Sequence, residues 1–175
     1  MSTAVLSIGS NLGDRLAHLQ GAVDAMRPWL RAVSPVYETA PWGPVEQDDY
    51  LNAVLLVDDA RATPEDWLER ARAAEQAAGR SRGVRWGPRT LDVDVVAVDD
   101  IRSEDAELTL PHPRAAERAF VLVPWLAADP DAVLAGRPVR DLVAGLADAD
   151  GAADADGAHN DPDDGVRPRP DLVVA

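Results

Sequence analysis

At 175 residues, 46% of them hydrophobic, the chain can bury one core and is too short for two comfortable ones. Its formal net charge of −14 opposes a generic nucleic-acid or anionic-membrane binder, whose long-range field must attract its target. There is no cysteine and all 17 Lys/Arg positions are arginine, which excludes disulfides, thiolate zinc sites, cysteine nucleophiles, Schiff-base lysines and a P-loop lysine together.

The opening "MSTAVLSIGSNLGDR" has neither a basic leader nor a long apolar run, so neither signal peptide nor membrane span is expected. With cysteine absent, the reading is a soluble cytoplasmic chain. "TAVLSIGS" reads as a buried strand ending at the turn formers Gly9-Ser10-Asn11. Leu12, Leu16, Leu19, Val23 and Met26 then recur at helical spacing, which predicts an amphipathic helix over 13–27, stopped near Pro28. "RAVSPVYET" is a second strand with Pro35 at an edge or bulge, "APWGPVEQDD" a loop, and "YLNAVLLVDD" a third strand.

Thr63-Pro64-Glu65-Asp66 is a helix start: a hydroxyl cap, proline at the first position, and acids at the positive end of the dipole. That helix is expected to reach about Ala78, with Gly79 just past its end. An arginine-rich loop follows, then the strand "TLDVDVVAV", a hairpin of "IRS" and "ELTL", a helical segment "RAAERAFVLVPWLAA" broken near Pro124, and a last helix "PVRDLVAGLA". The order strand-helix-strand-strand-helix-strand is the split βαβ arrangement, an α+β fold with a ferredoxin-like core (βαββαβ) and a mainly antiparallel sheet covered by helices. Residues 148–164 hold seven aspartates and no arginine, so 1–147 reads as the folded domain and 148–175 as a flexible acidic tail, with "DLVVA" a possible edge strand.

Against the overall charge, residues 80–89 carry Arg80, Arg82, Arg85 and Arg89 with no acid, bracketed by Gly79, Gly83, Gly87 and Pro88. Guanidinium groups are planar bidentate donors matched to phosphate oxygens, although a solvated basic loop would have the same composition. The loop runs into Asp92 and Asp94, which share one strand face about 6.6 Å apart, continued as apolar by Val96 and Val98. Two such carboxylates suit Mg²⁺, or two Mg²⁺ ions with phosphate between them. Asp-x-Asp alone suits an ordinary strand edge better. A phosphate group with Mg²⁺ satisfies loop and strand at once, the arrangement recurrent in phosphoryl transfer. Trp42, Tyr50, Trp86 and Phe120 flank loops or element ends, where they can stack on a flat heterocycle or pack in a core. Asn52 shares the strand face of Tyr50 and can hydrogen-bond such a ring. His112, between two prolines, suits a phosphate or a turn cap. Glu75 sits in the last turn of its helix, where the dipole disfavours an acid.

In order and spacing, "GSNLGDR", "YETAPWG", "QDDYLNAV", "GRSRGVRWGPRTLDVDVV" and "LPHPRAAERAFVLVPW" resemble the 6-hydroxymethyl-7,8-dihydropterin pyrophosphokinase family of folate biosynthesis. The resemblance covers residues 4–126 well and 127–147 loosely. It implies a three-layer α/β/α sandwich, a monomer, and transfer of pyrophosphate from ATP to the pterin hydroxymethyl group with release of AMP. It further implies two Mg²⁺ ions on Asp92 and Asp94, and charge stabilisation by Arg80 and Arg89 with Arg82 assisting. ATP contacts would come from His112, Arg118, Thr109 and Val95. The pterin would lie between Tyr50 and Phe120, read by Asn52 and the groups around Thr39 and Trp42, with Trp86 also at the pterin. Glu75 matches a recurrent glutamate. Departures are Ala115-Ala116 in place of a common Met-His, Asp48 in place of a common proline, an arginine loop without lysine, and the acidic tail. Two rival readings are a Mg-dependent nucleotidyltransferase, whose Gly-Ser and Asp-x-Asp lie closer together than Gly9-Ser10 and Asp92/Asp94 do, and a catalytically silent ATP- or pterin-binding module.

Overall fold

The computed structural model describes residues 2–41, 45–79, 88–153 and 165–175. In chain order its elements are β1 (Thr3–Ser10), α1 (Arg15–Met26), β2 (Leu30–Val33), β3 (Tyr37–Thr39), β4 (Tyr50–Asp58), α2 (Pro64–Ala77), β5 (Asp92–Val98), β6 (Ser103–Glu104), β7 (Thr109–Leu110), α3 (Ala119–Ala128), β8 (Val133–Leu134), β9 (Arg137–Pro138), α4 (Val139–Ala153) and β10 (Arg167–Pro168).

Alternation along the central strand sets the layering. Ala4, Leu6 and Ile8 of β1 face a core built with Leu19, Val23 and Met26 of α1 and Trp67 and Ala71 of α2. Val5 faces the other way, into a second core with Leu122 and Trp125 of α3 and Leu142 of α4. Helices therefore cover both faces of one antiparallel sheet, ordered β10-β3-β4-β1-β5 with β2 also paired to β4. With β1 flanked by β4 and β5, this is the ferredoxin-like α+β arrangement that the element order predicts. Among the described residues, no helix is long and apolar enough to cross a membrane.

α2 begins as its sequence dictates. Thr63 Oγ1 accepts from the Asp66 N–H at 3.2 Å while Asp66 Oδ2 accepts from the Thr63 N–H at 2.7 Å, a reciprocal capping box. Gly79, at φ 70°, supplies the left-handed residue beyond the other end. Trp67 is fully buried, donates Nε1–H to Ser2 Oγ at 2.9 Å and meets Trp29 edge-on at 6.1 Å.

Elsewhere the structure departs from the sequence reading. The strand expected over "RAVSPVYET" is two, β2 and β3, interrupted at Ser34-Pro35. Ser34 still meets β4, but its hydroxyl oxygen, not its carbonyl, accepts the Val54 N–H (2.8 Å). The helix break expected at Pro124 falls instead at Arg118, whose φ of −106° and ψ of 99° separate a short 3-10 turn (Ala115–Glu117) from α3. Pro124 lies inside α3, where burial beside Leu122 and Trp125 offsets its one missing donor. An unforeseen hairpin, β8–β9, turns through Ala135 (φ 51°) and Gly136 (φ 79°); an alanine in the left-handed region is what hid it. Val98 does not continue the aspartate face. Val96 is an unpaired extra residue between the Leu6–Val95 and Val5–Ala97 pairs, and this bulge turns Val98 into the α1/α2 core.

The stretch grouped into a flexible tail also differs at both ends. α4 runs on to Ala153, and residues 165–175 return to the sheet as β10 and beyond. Val174 is buried in the α1/α2 core, and Leu172 packs against it. These contacts offset the ordering entropy that an Asp/Ala/Gly-rich composition suggests would win.

Replacing Thr63 with alanine should cost about 1 kcal/mol of unfolding free energy, and Trp67→Ala about 3–5 kcal/mol. Urea denaturation monitored by far-ultraviolet circular dichroism measures both.

Candidate active site

On the α3/α4 side of the sheet, three neighbouring strands change from apolar to polar toward the same end, β4 one pair later than β1 and β5. β1 runs Val5, Ser7, Gly9; β4 runs Val54, Asn52, Tyr50; β5 runs Val96, Asp94, Asp92. Register aligns them, for Gly9 pairs with Asn52 on one side and Asp92 on the other, and Ser7 pairs with Asp94. Strands lie about 4.8 Å apart, so the Asn52 and Asp92 backbones are roughly 10 Å apart across Gly9. Gly9 gives the floor room: a Cβ there would sit 3.0 Å from Asn52 Oδ1 and 3.3 Å from Tyr50 Cδ1 and would press on both side chains.

Above this row lies a cavity of about 210 Å³. β3 and β4 contribute Thr39, Tyr50 and Asn52; β5 and the residue run before it contribute Arg89, Asp92 and Asp94. His112, and Arg118 and Phe120 at the start of α3, complete the wall. Nine residues singled out from the sequence thus meet in one place. Val95 does not: its side chain lies in the α1/α2 core because it alternates with the two aspartates. Thr109 lies away from the cavity lining, its hydroxyl donating to the Asp105 carbonyl at 2.9 Å. Arg80, Arg82, Trp42 and Trp86 lie outside the described residues.

The cleft has two chemistries. On its β3–β4 side, the buried Asn52 Nδ2 donates to Thr39 Oγ1 at 2.6 Å beside the Tyr50 ring. On its β5 side, Arg89 Nη1 pairs with Asp92 Oδ1 at 2.8 Å and Arg118 Nη1 lies 3.9 Å from Asp94 Oδ2. Burial opposes the charge on Arg89, but the hydrogen bond and charge of Asp92 outweigh it and hold the guanidinium above its ordinary pKa. Arg118 Nε is buried with no hydrogen-bond partner among the described residues, and the Arg118 guanidinium lies 5.5 Å from the Phe120 ring centroid.

His112 is held by its backbone and its ring. Its N–H donates to the Val96 carbonyl at 2.8 Å, and Nδ1 accepts the Arg114 N–H at 3.2 Å. A neutral ring so bonded carries its proton on Nε2 and acts as a donor. Burial first, then the charges of Arg118 and Arg114, push its pKa down to about 4.

Two residues outside the sequence reading's site complete the framework. Asn11 accepts the Arg89 N–H at 2.8 Å and donates to Gln47 Oε1 at 2.8 Å and the Asp48 carbonyl at 2.9 Å, so it ties the arginine side to the loop before Tyr50. The turn-former Asn11 was visible, but Gln47 had no periodic signal. Glu75, left without a role by its sequence position, accepts the Val93 N–H at 3.1 Å and so braces the strand between the two aspartates.

Asp92 and Asp94 fit a magnesium ion. They are hard oxygen donors on one face, partly open to the cavity, and supply too few ligands for a closed protein cage. Among the described residues no group of three or more His, Asp or Glu side chains is placed to hold an ion, so remaining ligands would come from water or a phosphorylated substrate.

A family model for 7,8-dihydro-6-hydroxymethylpterin-pyrophosphokinase (HPPK) matches residues 5–130. The chain belongs to the HPPK family. Curated 2-amino-4-hydroxy-6-hydroxymethyldihydropteridine pyrophosphokinases are similar along most of their length. That of Mycobacterium tuberculosis is 52% identical over 163 residues, covering 86% of this chain and 87% of the relative. That of Mycobacterium leprae is 56% identical over 153 residues, covering 80% of each. That of Methylorubrum extorquens is 45% identical over 150 residues, covering 83% and 94%. The crystal structure of wild-type Plasmodium falciparum HPPK-DHPS superposes with a TM-score of 0.66 at 12% identity over 87% of this chain. It shows a shared fold, and this chain spans 46% of that longer one. The HPPK match takes in the whole cavity wall and ends before α4 and the C-terminal return.

His112 should stay neutral down to about pH 4. Because the unfolded chain takes up that proton near pH 6.5, acid should shift the balance toward unfolding as pH falls from about 6.5 to 4. An NMR titration of the ring Cε1–H checks the midpoint, and Arg118→Ala should raise it by removing a neighbouring positive charge.

Proposed function

We propose that this chain transfers the pyrophosphoryl group of ATP to the hydroxymethyl oxygen of 6-hydroxymethyl-7,8-dihydropterin, releasing AMP in a step of folate biosynthesis. The observation that carries the reading is the two-sided cavity. An aromatic and amide side on β3–β4 stands about 10 Å across the Gly9 floor from an ionic side on β5. A heterocycle with a short hydroxymethyl arm fits the first, and the polyphosphate of ATP the second.

In this reading the pterin ring lies between Tyr50 and Phe120. Asn52 gives one hydrogen to Thr39, which leaves its other N–H and its carbonyl oxygen for the amide-like edge of the ring. The same requirement for complementary donors and acceptors rejects rings that lack that edge. Arg89, Arg118 and the Nε2–H of His112 meet phosphate oxygens. Both arginines already hold a carboxylate, so incoming phosphate replaces one anionic partner with another and leaves no charge unpaired. Asp92 and Asp94 are then available to hold Mg²⁺, and the bound cation would neutralise charge on the phosphates.

The pterin hydroxyl oxygen forms a bond to the β-phosphorus of ATP. The bond from that phosphorus to the α–β bridging oxygen breaks, AMP leaves with the oxygen, and the hydroxyl proton is lost to solvent. His112 is a donor in its fixed tautomer and serves the phosphates rather than this proton. Arg80 and Arg82 are assigned to the transferring group, and Trp42 and Trp86 to the pterin, on the family motifs alone. On the family resemblance we assign a monomer as the working unit, and we place it in the cytoplasm.

Incubation with ATP, Mg²⁺ and the pterin should yield AMP and the pterin diphosphate in equal amounts, and chelation of Mg²⁺ should stop it. ADP or free pyrophosphate as the nucleotide-derived product would overturn the reading. Arg89→Ala should lower kcat on the order of 10²–10³-fold with a much smaller change in pterin KM. Asp94→Asn should weaken ATP binding in magnesium by at least about 10-fold in a calorimetric titration.

A further inference from the structure

β3 is three residues long, yet it carries Thr39 into the cleft and pairs Thr39 with Tyr50. Its outer neighbour is β10, where Arg167 pairs with Glu38 and Pro168 with Tyr37, and the Arg169 N–H donates to the Val36 carbonyl at 2.8 Å. Glu38 gathers three arginines. Arg15 and Arg169 reach its Oε2 at 2.8 and 3.1 Å, and Arg167 reaches Oε1 at 3.4 Å. Arg167 also grips Asp49 at 2.7 Å, and Arg15 donates to the Asp49 carbonyl at 3.0 Å.

Glu38 directly precedes Thr39, and Asp49 directly precedes Tyr50. The arginines therefore hold the chain one residue upstream of both. The far end of the strap is fixed too: Val174 is buried, and the Ala175 carbonyl accepts from Gln20 at 2.7 Å and Arg27 at 2.8 Å. None of this strap lies within the residues 5–130 that the family model matches.

We propose that the C-terminal strap is a positioning element for the pterin side of the cleft, with Arg167 as its principal positioning residue and Arg169 in support. The inference rests on the assignment of Tyr50, Asn52 and Thr39 to the pterin. The Arg167–Asp49 pair is about 40% exposed on each side, so it adds little to global stability and is screened by salt. Its effect is local. Holding β3 and the 47–49 loop in place before the pterin arrives removes an ordering cost from pterin binding, while the ATP side on β5 meets that loop one step removed, through Asn11.

Steady-state kinetics on the full chain test this with Arg167→Ala, Arg167→Lys, Asp49→Asn and a chain ending at residue 164. Arg167→Ala and Asp49→Asn should each raise pterin KM about 3–10-fold, with kcat and ATP KM within about 2-fold. The double variant should be no worse than the worse single one, Arg167→Lys should recover part of the loss, and the difference from wild type should shrink in high salt. The melting temperature of Arg167→Ala should stay within about 4 °C of wild type. Unchanged pterin KM in both Arg167→Ala and the shortened chain would overturn the proposal, as would parallel losses in both substrates that follow melting temperature. A wild-type chain that makes no AMP would instead overturn the reaction. In that case amide exchange at Thr39 and Tyr50, faster in Arg167→Ala than in wild type, still reads the strap, and unchanged exchange refutes it.

Discussion

A β-strand must send alternate side chains to opposite faces, and in this protein that rule locates the chemistry. β1, β4 and β5 are antiparallel neighbours whose α3/α4 face is apolar at one end and polar at the other. Register fixes where the polar side chains meet: Ser7 lies between Val54 and Asp94, and one pair further on Gly9 becomes a floor between an amide and a carboxylate. The two cores on either side of the sheet hold that register. A slip of one residue in β5 would bury both aspartates and expose Val93 and Val95.

Charge is managed on the same local scale. An acidic chain would repel an anionic substrate, yet its cleft presents arginines already matched to aspartates and a histidine held neutral. Among the described residues, Arg89 and Arg118 thus each face a carboxylate in a part-buried place, where an unpaired ion would be costly. In the proposed reaction, substrate phosphates and a divalent cation would divide those pairs between them, arginine to phosphate and carboxylate to metal, without changing the count of paired charges. Glu75 adds a different kind of support, since its partner is a backbone N–H on the edge strand that bears the aspartates.

The elements with a single strong period were legible in the sequence. β1, α1, β4, α2 and β5 follow from alternation, helical spacing and the Thr63 capping box, and with them the ferredoxin-like order. Strand parity placed Asp92 with Asp94 and Tyr50 with Asn52 on shared faces, and the arginine run and the family motifs turned those faces into a candidate site. What escaped depends on partners distant in the chain. The β8–β9 turn uses an alanine in the left-handed region, and Pro124 stays helical because α3 is packed around it. The return of residues 165–175 relies on Val174 finding the core and on arginines finding Glu38 and Asp49 more than 100 positions earlier. Val95, assigned to ATP on the family resemblance, sends its side chain into the opposite core by the same parity.

The β5 bulge at Val96 separates two duties that a regular strand would lock together. Before it, residue parity serves the cleft; after it, parity is reset, and Val98 packs beneath α2. Changes that repack the far half of the strand are therefore not transmitted as a rotation of the aspartates. The bulged residue also turns its carbonyl to the His112 N–H, so the irregularity that insulates the carboxylates from the core is the same one that docks the histidine beside them. The binding cleft and the hydrophobic interior can accumulate substitutions on separate accounts, joined at one peptide group.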